Sequence, residues 1–276
     1  MSSSLTLMAV HAHPDDESSS TGGVLARYSD EGLETVVVTC TNGELGDGPG
    51  GVKPGEEGHD EAEVARVRLG ELERACETLG VAHLELLGYH DSGMADWEHK
   101  DRPNVFSNVA VDDAAARVAA LYEKYQPDVV VTYDELGGYD HPDHLQASRI
   151  AMAAVAATGI PRKAYFTALR RSTFQRFREH LEEQGVDVSA FPEPDPEQVR
   201  MMDAVEARIT TVVDVNPFVE RKRTALETHA SQIAESFWAG IPATAFDALF
   251  GEEAFIRAFD TTGAPVPEAD LFAGLR

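Results

Sequence analysis

Cysteine, basic residues and long apolar runs are all scarce in this sequence, and each scarcity excludes something. Only two cysteines, Cys40 and Cys76, occur in 276 residues, and no CxxC pair exists. That rules out a disulfide scaffold, and both thiols read as core residues of a chain in a reducing compartment. Lysine and arginine number 23 against 48 acids, a formal charge of −25. Nucleic acid and anionic membrane surfaces both need a basic patch, so neither is an expected partner. The most apolar helical stretch, IAMAAVAATGI from Ile150 to Ile160, is too short and alanine-rich to span a bilayer. The opening MSSSLTLMAV has no basic segment before its apolar run, so a signal peptide is not expected and the chain reads as soluble and cytoplasmic. No fixed-period repeat occurs. The oligomeric state is not set by the sequence, and a homo-oligomer is compatible with it.

What is present is an alternation of short β-branched runs with helical patterns. Strands are expected at Leu5–His11, Glu34–Cys40, His83–Leu87, Asp128–Tyr133 and Lys163–Ala168. Helices are expected at Ser19–Glu31, Glu61–Leu79, Val111–Tyr125 and Asp143–Thr158, with Gly80 and Gly159 as C-caps. Near-continuous apolar strands between helices predict an α/β fold: a doubly wound, mostly parallel sheet covered on both faces. With 43% hydrophobic residues the chain can fill one large core. The rhythm loosens after Gly159. Residues 1–160 therefore read as the catalytic domain, and 161–276 as a mixed α/β extension packed on it. In that extension Phe174–Gln184 and Pro217–Ser231 read as helical, Ile209–Val213 as a strand and Phe191–Gln198 as a proline-rich loop. Two long connections, Thr41–Asp60 and Gly88–Ser107, have lengths usual for functional loops.

A dinucleotide site would need GxGxxG after the first strand, but the chain there reads HAHPDDE. The glycine-rich Thr41–Asp60 segment is not followed by GK[ST], so it is not a phosphate loop of that kind. The first strand leads into His-Pro-Asp-Asp and the fourth into His-Pro-Asp-His. If those strands flank the point where the sheet reverses its winding, both turns open on one crevice. Proline suits the first helical position, so each motif starts a helix from a fixed turn. A lone HPDD is readily an ordinary helix cap, since Asp is a preferred cap; two such turns after two strong strands point to a site.

The residue types suit a divalent metal: catalytic zinc takes three His or Asp/Glu ligands and keeps one position for water. His13, Asp16 and His144 are the expected ligands, for zinc or another first-row divalent ion. Asp15 is left to act as general base. His141, protonated, would stabilise an oxyanion or protonate a leaving amine, with Asp143 holding its tautomer and raising its pKa. Such a pair gives a bell-shaped pH profile. His11 reads as a strand-end residue, and the roles of His83, His90 and His229 stay open.

The segments AVHAHPDDE, VVTCTNGE, YHDSGM and VVVTYDELGGYDHPDH, in this order and spacing, resemble the LmbE-like, PIG-L-type zinc-dependent N-deacetylases. Within that family the chain is most similar to the mycothiol branch, which holds N-acetylglucosaminyl-inositol deacetylases and mycothiol conjugate amidases. KRTALETHASQI (Lys222–Ile233) is similar to a downstream helix of that branch. The resemblance implies a Rossmann-like fold, a zinc ion, hydrolysis of an N-acyl amide and a small N-acyl aminosugar as substrate. It implies the same roles for His13, Asp15, Asp16, His141, Asp143 and His144. It adds Tyr139 as a phenol partner of the oxyanion, and Glu44, Arg68, Asp91 and Met94 as lining of a sugar and inositol pocket. Ser20 stands where the amidases carry a lysine, which weakens the fit to a conjugate amidase. The readings are therefore an N-deacetylase of a small N-acetylglucosamine conjugate, an amidase of mycothiol S-conjugates or a related N-acyl aminosugar, and a non-catalytic metal- or sugar-binding protein.

Overall fold

The computed structural model describes residues 4–186, 188, 193–234 and 241–276, without the Tyr139 side chain. The strands are β1 (Thr6–His11), β2 (Glu34–Thr41), β3 (His83–Tyr89), β4 (Val129–Thr132), β5 (Lys163–Ala168), β6 (Thr211–Asp214) and β7 (Glu252–Asp260). They form one seven-stranded sheet in the order β3-β2-β1-β4-β5-β7-β6. The first five are parallel to one another, and β7 runs antiparallel to both β5 and β6. The fold class is the one expected.

Alternation along each inner strand assigns its two faces. Leu7 and Ala9 of β1 join Val37, Val129 and Val131 in one core, beneath α1 (Asp16–Asp30) and α2 (Glu61–Leu79). Met8, Val10, Val36, Val38 and Val130 face the opposite core, beneath α3 (Val111–Tyr125). The short α4 (Gly137–Asp140) leads into α5 (Pro142–Thr158), which packs beside α3 on that face. Both faces of β1 and β4 are covered, so their sequences are apolar without interruption. The α2 boundaries agree with the sequence reading because both ends are chemically marked. The Asp60 side chain accepts the N–H groups of Ala62 and Glu63, and Gly80 closes the helix at φ 77°.

Beyond residue 160 the structure departs from the reading in detail. α6 (Arg171–Glu183) and α8 (Val219–Thr228) follow the expected pattern, with α9 (Ala230–Ile233) continuing α8. The expected loop 191–198 begins outside the described residues, and from Pro196 it is α7 (Pro196–Glu206). Asp195 and Gln198 form a reciprocal cap there and Pro196 takes the first position, so helix-start chemistry outweighs the local proline content. The helix α10 (Ala243–Phe250) and the strand β7 were not expected. Phe177, Val219, Leu226, Phe246 and Leu249 make a smaller core between α6, α8 and α10. Among the described residues no helix is long and apolar enough to cross a membrane.

Candidate active site

β1 lies between β2 and β4, so the winding reverses there and the carboxyl ends of β1 and β4 open side by side. The turn after β1 carries His13, Asp15 and Asp16, and the turn after β4 carries His141, Asp143 and His144. The two turns meet. The ring centroids are 4.5 Å apart for His13 and His141, 5.3 Å for His13 and His144, and 4.9 Å for His141 and His144. All three imidazoles are buried, as are Asp16 and Asp143. Loops after β2 and β3 complete the crevice with Glu44, Asp91 and Ser92.

Asp16 faces both expected histidine partners. Its Oδ2 lies 3.4 Å from His13 Nδ1 and its Oδ1 3.5 Å from His144 Nε2. Oδ2 also accepts the His13 backbone N–H at 2.8 Å and the Tyr133 hydroxyl at 2.6 Å. Burial would raise the Asp16 carboxyl, but the imidazoles of His144 and His13 outweigh it and hold the group well below the usual carboxylate range. Burial likewise opposes charge on His13, yet Asp91, Asp143 and Asp16 around it raise its pKa well above the ordinary value. Buried carboxylates need partners, and this crevice concentrates them around imidazole nitrogens. Two sets of side chains offer donor atoms that all lie within 4.8 Å of one another: His13, His141 and His144, and His13, Asp91 and Asp143. The donor types, nitrogen and carboxylate oxygen, fit a divalent first-row ion.

Asp15 is the cap residue of α1, but its side chain caps nothing. It sits at φ 111°, a left-handed conformation that costs a non-glycine residue about 1–3 kcal/mol. Its carboxylate turns to Arg68, whose Nη2 is 3.0 Å away and also donates to the Pro14 carbonyl at 2.6 Å. Arg68 Nη1 donates to the Gly43 carbonyl at 2.7 Å. Arg68 is thus buried, and its two terminal nitrogens are engaged with the loops. Desolvation by the surrounding protein pushes Asp15 up to about 6, against the pull of Arg68.

Asp143 does not hold the His141 ring, contrary to expectation. Its carboxylate accepts the Ser92 N–H at 2.8 Å and the Ser92 hydroxyl, and it lies 3.2 Å from His13 Nε2. It meets His141 through its backbone N–H, which donates to His141 Nδ1 at 3.2 Å as a helix cap. That bond assigns the His141 proton to Nε2. Burial, with the imidazoles of His13 and His144, pushes the ring down to about 3, whereas Asp91 and Asp16 pull it the other way. His144 is likewise pushed down to about 4, chiefly by burial.

Glu44 is buried, with Oε1 2.6 Å from His90 Nδ1 and Oε2 without a hydrogen-bond partner among the described residues. Asp91 is buried and accepts the Gly93 N–H at 2.8 Å. Met94 is 37% exposed on the same loop, and Ser20 is half-buried on α1. Tyr139 falls on α4, and its side chain lies outside the described residues.

Sequence reasoning missed two supports. Tyr133, the last residue of DVVVTY, donates to Asp16 and accepts the Ala12 N–H at 2.8 Å, and its ring stacks on His144 with centroids 4.1 Å apart. The position was legible but read only as strand. Ser92, in YHDSGM, ties the third strand's loop to Asp143; no spacing rule marks it.

Comparison with known proteins places this geometry. The family model for "GlcNAc-PI de-N-acetylase" (PIG-L) matches residues 8–155. The 1D-myo-inositol 2-acetamido-2-deoxy-alpha-D-glucopyranoside deacetylase of Thermobifida fusca is 36% identical over 97% of this chain and 98% of its own length. The protein of that name from Acidothermus cellulolyticus is 38% identical over 98% and 95%. Among solved structures, N,N'-diacetylchitobiose deacetylase from Pyrococcus horikoshii superposes with a TM-score of 0.55 at 20% identity, over 86% of this chain and 74% of its own. At that identity the likeness concerns the fold.

Proposed function

The chain belongs to the PIG-L family of GlcNAc-PI de-N-acetylases, and from that membership we propose that it hydrolyses the N-acetyl group of an N-acetylglucosaminyl-inositol. Its likeness over nearly full length to deacetylases of that compound supports this substrate. The single observation that carries the chemistry is the placement of Asp16 between His13 and His144, with Asp15 turned aside from them.

In this reading His13, Asp16 and His144 hold the metal. His141 is not a ligand, because its Nδ1 accepts a backbone N–H and its Nε2 carries the proton. A divalent cation, zinc on the family resemblance, would supply when bound the Lewis acidity that polarises the amide carbonyl and acidifies a water molecule. Asp15, its carboxyl raised by burial, takes the proton of the attacking water and returns it to the departing amine. His141 directs Nε2–H at the carbonyl oxygen as it gains charge. Tyr139 is assigned as a second donor to that oxygen on the family resemblance alone. Asp143 and Ser92 fix His13 and the β3 loop. Glu44, Asp91 and Met94 line the crevice on the side of β2 and β3, where the sugar is proposed to sit, and Ser20 borders it from α1. Arg68 contributes by holding Asp15.

Acetate release from N-acetylglucosaminyl-inositol by the zinc-loaded protein tests the reading, with a mycothiol S-conjugate as the competing substrate. Asp15→Asn should reduce acetate release to a small residual rate while zinc content stays at the wild-type level. Undiminished hydrolysis in that variant would remove Asp15 as the base, and faster cleavage of the conjugate would transfer the chain to the amidases.

A further inference from the structure

We propose that His229 is a positioning residue for Asp15, acting through Glu17 from the far end of the chain; this rests on the reading of Asp15 as the general base. Asp15 holds a backbone conformation that L-residues rarely adopt, so something must fix it. Its carbonyl accepts the N–H groups of Ser18 and Ser19 at 3.1 and 3.0 Å, as any helix start would provide. Its own N–H is different: it donates to Glu17 Oε2 at 2.9 Å. The Pro14–Asp15 peptide that carries the base is therefore held at both ends, by Arg68 at the Pro14 carbonyl and by the Glu17 carboxylate at the Asp15 N–H.

That carboxylate is fully buried, and its other oxygen is held in turn. Glu17 Oε1 accepts the Ser18 hydroxyl at 2.5 Å and lies 2.8 Å from His229 Nε2. His229 is itself completely buried, at the junction of α8 and α9, 212 residues away in sequence. Its Nδ1 has no hydrogen-bond partner among the described residues. Among the described residues Glu17 is therefore its one hydrogen-bond partner. Ser18 is the neighbour of Glu17 and moves with it, whereas His229 is anchored on a separate helix. It ties the Glu17 carboxylate to a second helix, and so supports the Asp15 N–H from the side opposite to Arg68, which holds the Pro14 carbonyl. Glu17 touches neither His13 nor His144 by any hydrogen bond or ion pair found among the described residues, so the arm is directed at the base and not at the metal ligands.

The test uses amide side chains of two lengths on the zinc-loaded full chain. Glutamine places its amide nitrogen near the position of Nε2, whereas asparagine stops near Nδ1. His229→Asn should lower kcat about 10- to 100-fold, as misplaced supporting groups do, with KM and zinc content unchanged. His229→Gln should restore most of kcat. In an Asp15→Asn background His229→Asn should lower the residual rate no further. Should His229→Asn not fold, Glu17→Gln carries the test: its amide must turn a donor toward either the Asp15 N–H or His229, and the same loss of kcat is expected. Wild-type kcat in His229→Asn or in Glu17→Gln overturns the proposal. Equal losses for Asn and Gln, or a further loss in the Asp15→Asn background, overturn it too, because they indicate general damage. If Asp15→Asn alone keeps full activity, the failure lies with the base assignment itself and is recognised separately.

Discussion

Tyr133→Phe removes a single oxygen from beneath the proposed metal site, and its consequence can be worked from the hydrogen bonds. Burial and the neighbouring Asp16 push the Tyr133 phenol well above its ordinary pKa, so it stays protonated and donates. A hydrogen bond to a charged group contributes about 1.5–3 kcal/mol, and the Ala12 N–H left buried without its acceptor costs about 1–3 kcal/mol. The ring remains, so its stacking on His144 is kept. Two effects on metal affinity then compete. An Asp16 carboxylate stripped of a donor is more basic, which favours a cation. It is also less fixed, because Oδ2 keeps only the His13 N–H at 2.8 Å and the group can rotate away from the two imidazoles. Loss of such orienting partners typically weakens metal binding about 10- to 100-fold, or about 1.4–2.8 kcal/mol. We expect orientation to win, because the two oxygens of Asp16 face different rings and a rotation loses both. Chelator competition measures the zinc Kd directly, and thermal unfolding of the zinc-free protein should show a lower Tm. Binding as tight as wild type, or tighter, would refute the orienting role of the phenol.

Two further outcomes concern the scaffold. A Cβ at Gly23 would lie 2.6 Å from Val215 Cγ2 and 2.9 Å from Glu253 Oε1, so Gly23→Ala should destabilise by about 1–3 kcal/mol. An unchanged denaturation midpoint would contradict that packing. Burial raises Asp270, but the Phe272 N–H, the Tyr28 hydroxyl and Arg276 together hold it below the usual range. A depressed folded pKa means stability that is present above the unfolded value near 4 and lost as pH falls through the folded value. Asp270→Ala should therefore cost about 1–3 kcal/mol at pH 7, with the deficit shrinking in acid. A deficit independent of pH in urea titrations would rule this out.

The first 160 residues were legible because local and global signals agree there. The apolar runs of β1, β2 and β4 are continuous because helices cover both faces, and the helix ends carry Asp60, Gly80 and Gly159 as chemical marks. The convergence of the two His-Pro-Asp turns follows from strand order, which alternation and the switch-point rule predict. What the sequence could not show was the direction of individual side chains. Asp143 was assigned to its near neighbour His141, whereas Ser92, from another strand's loop, captures the carboxylate. The contacts of Arg68 are equally non-local: two backbone carbonyls and Asp15 take up its terminal nitrogens. The antiparallel β7 was missed because its nine residues alternate less cleanly and its sheet partners β5 and β6 are remote in the chain instead of joined to it by a hairpin. Non-local pairing of that kind leaves no local trace.

The segment Lys222–Gln232 shows why the late part of the chain matters to an early site. Lys222 is 2.6 Å from Glu253, whose two oxygens accept the Gly23 and Val24 N–H groups of α1. His229 meets Glu17, Ser231 donates twice to Glu71 of α2, and Gln232 pairs with the Asp47 backbone in the long loop after β2. Buried ionic and polar pairs are weak sources of net stability, because desolvation offsets most of their attraction. An apolar seam of equal area would hold α8 against α1 and α2 comparably well. It would not fix how far one helix slides along another, since dispersion and hydrophobic burial have no direction. Directional bonds at four points do fix it. The elements they fix are the helix that begins at Asp16, the helix that carries Arg68, and the loop that carries Glu44. A catalytic constellation must be held to a fraction of an ångström, so such a seam acts on geometry more than on stability.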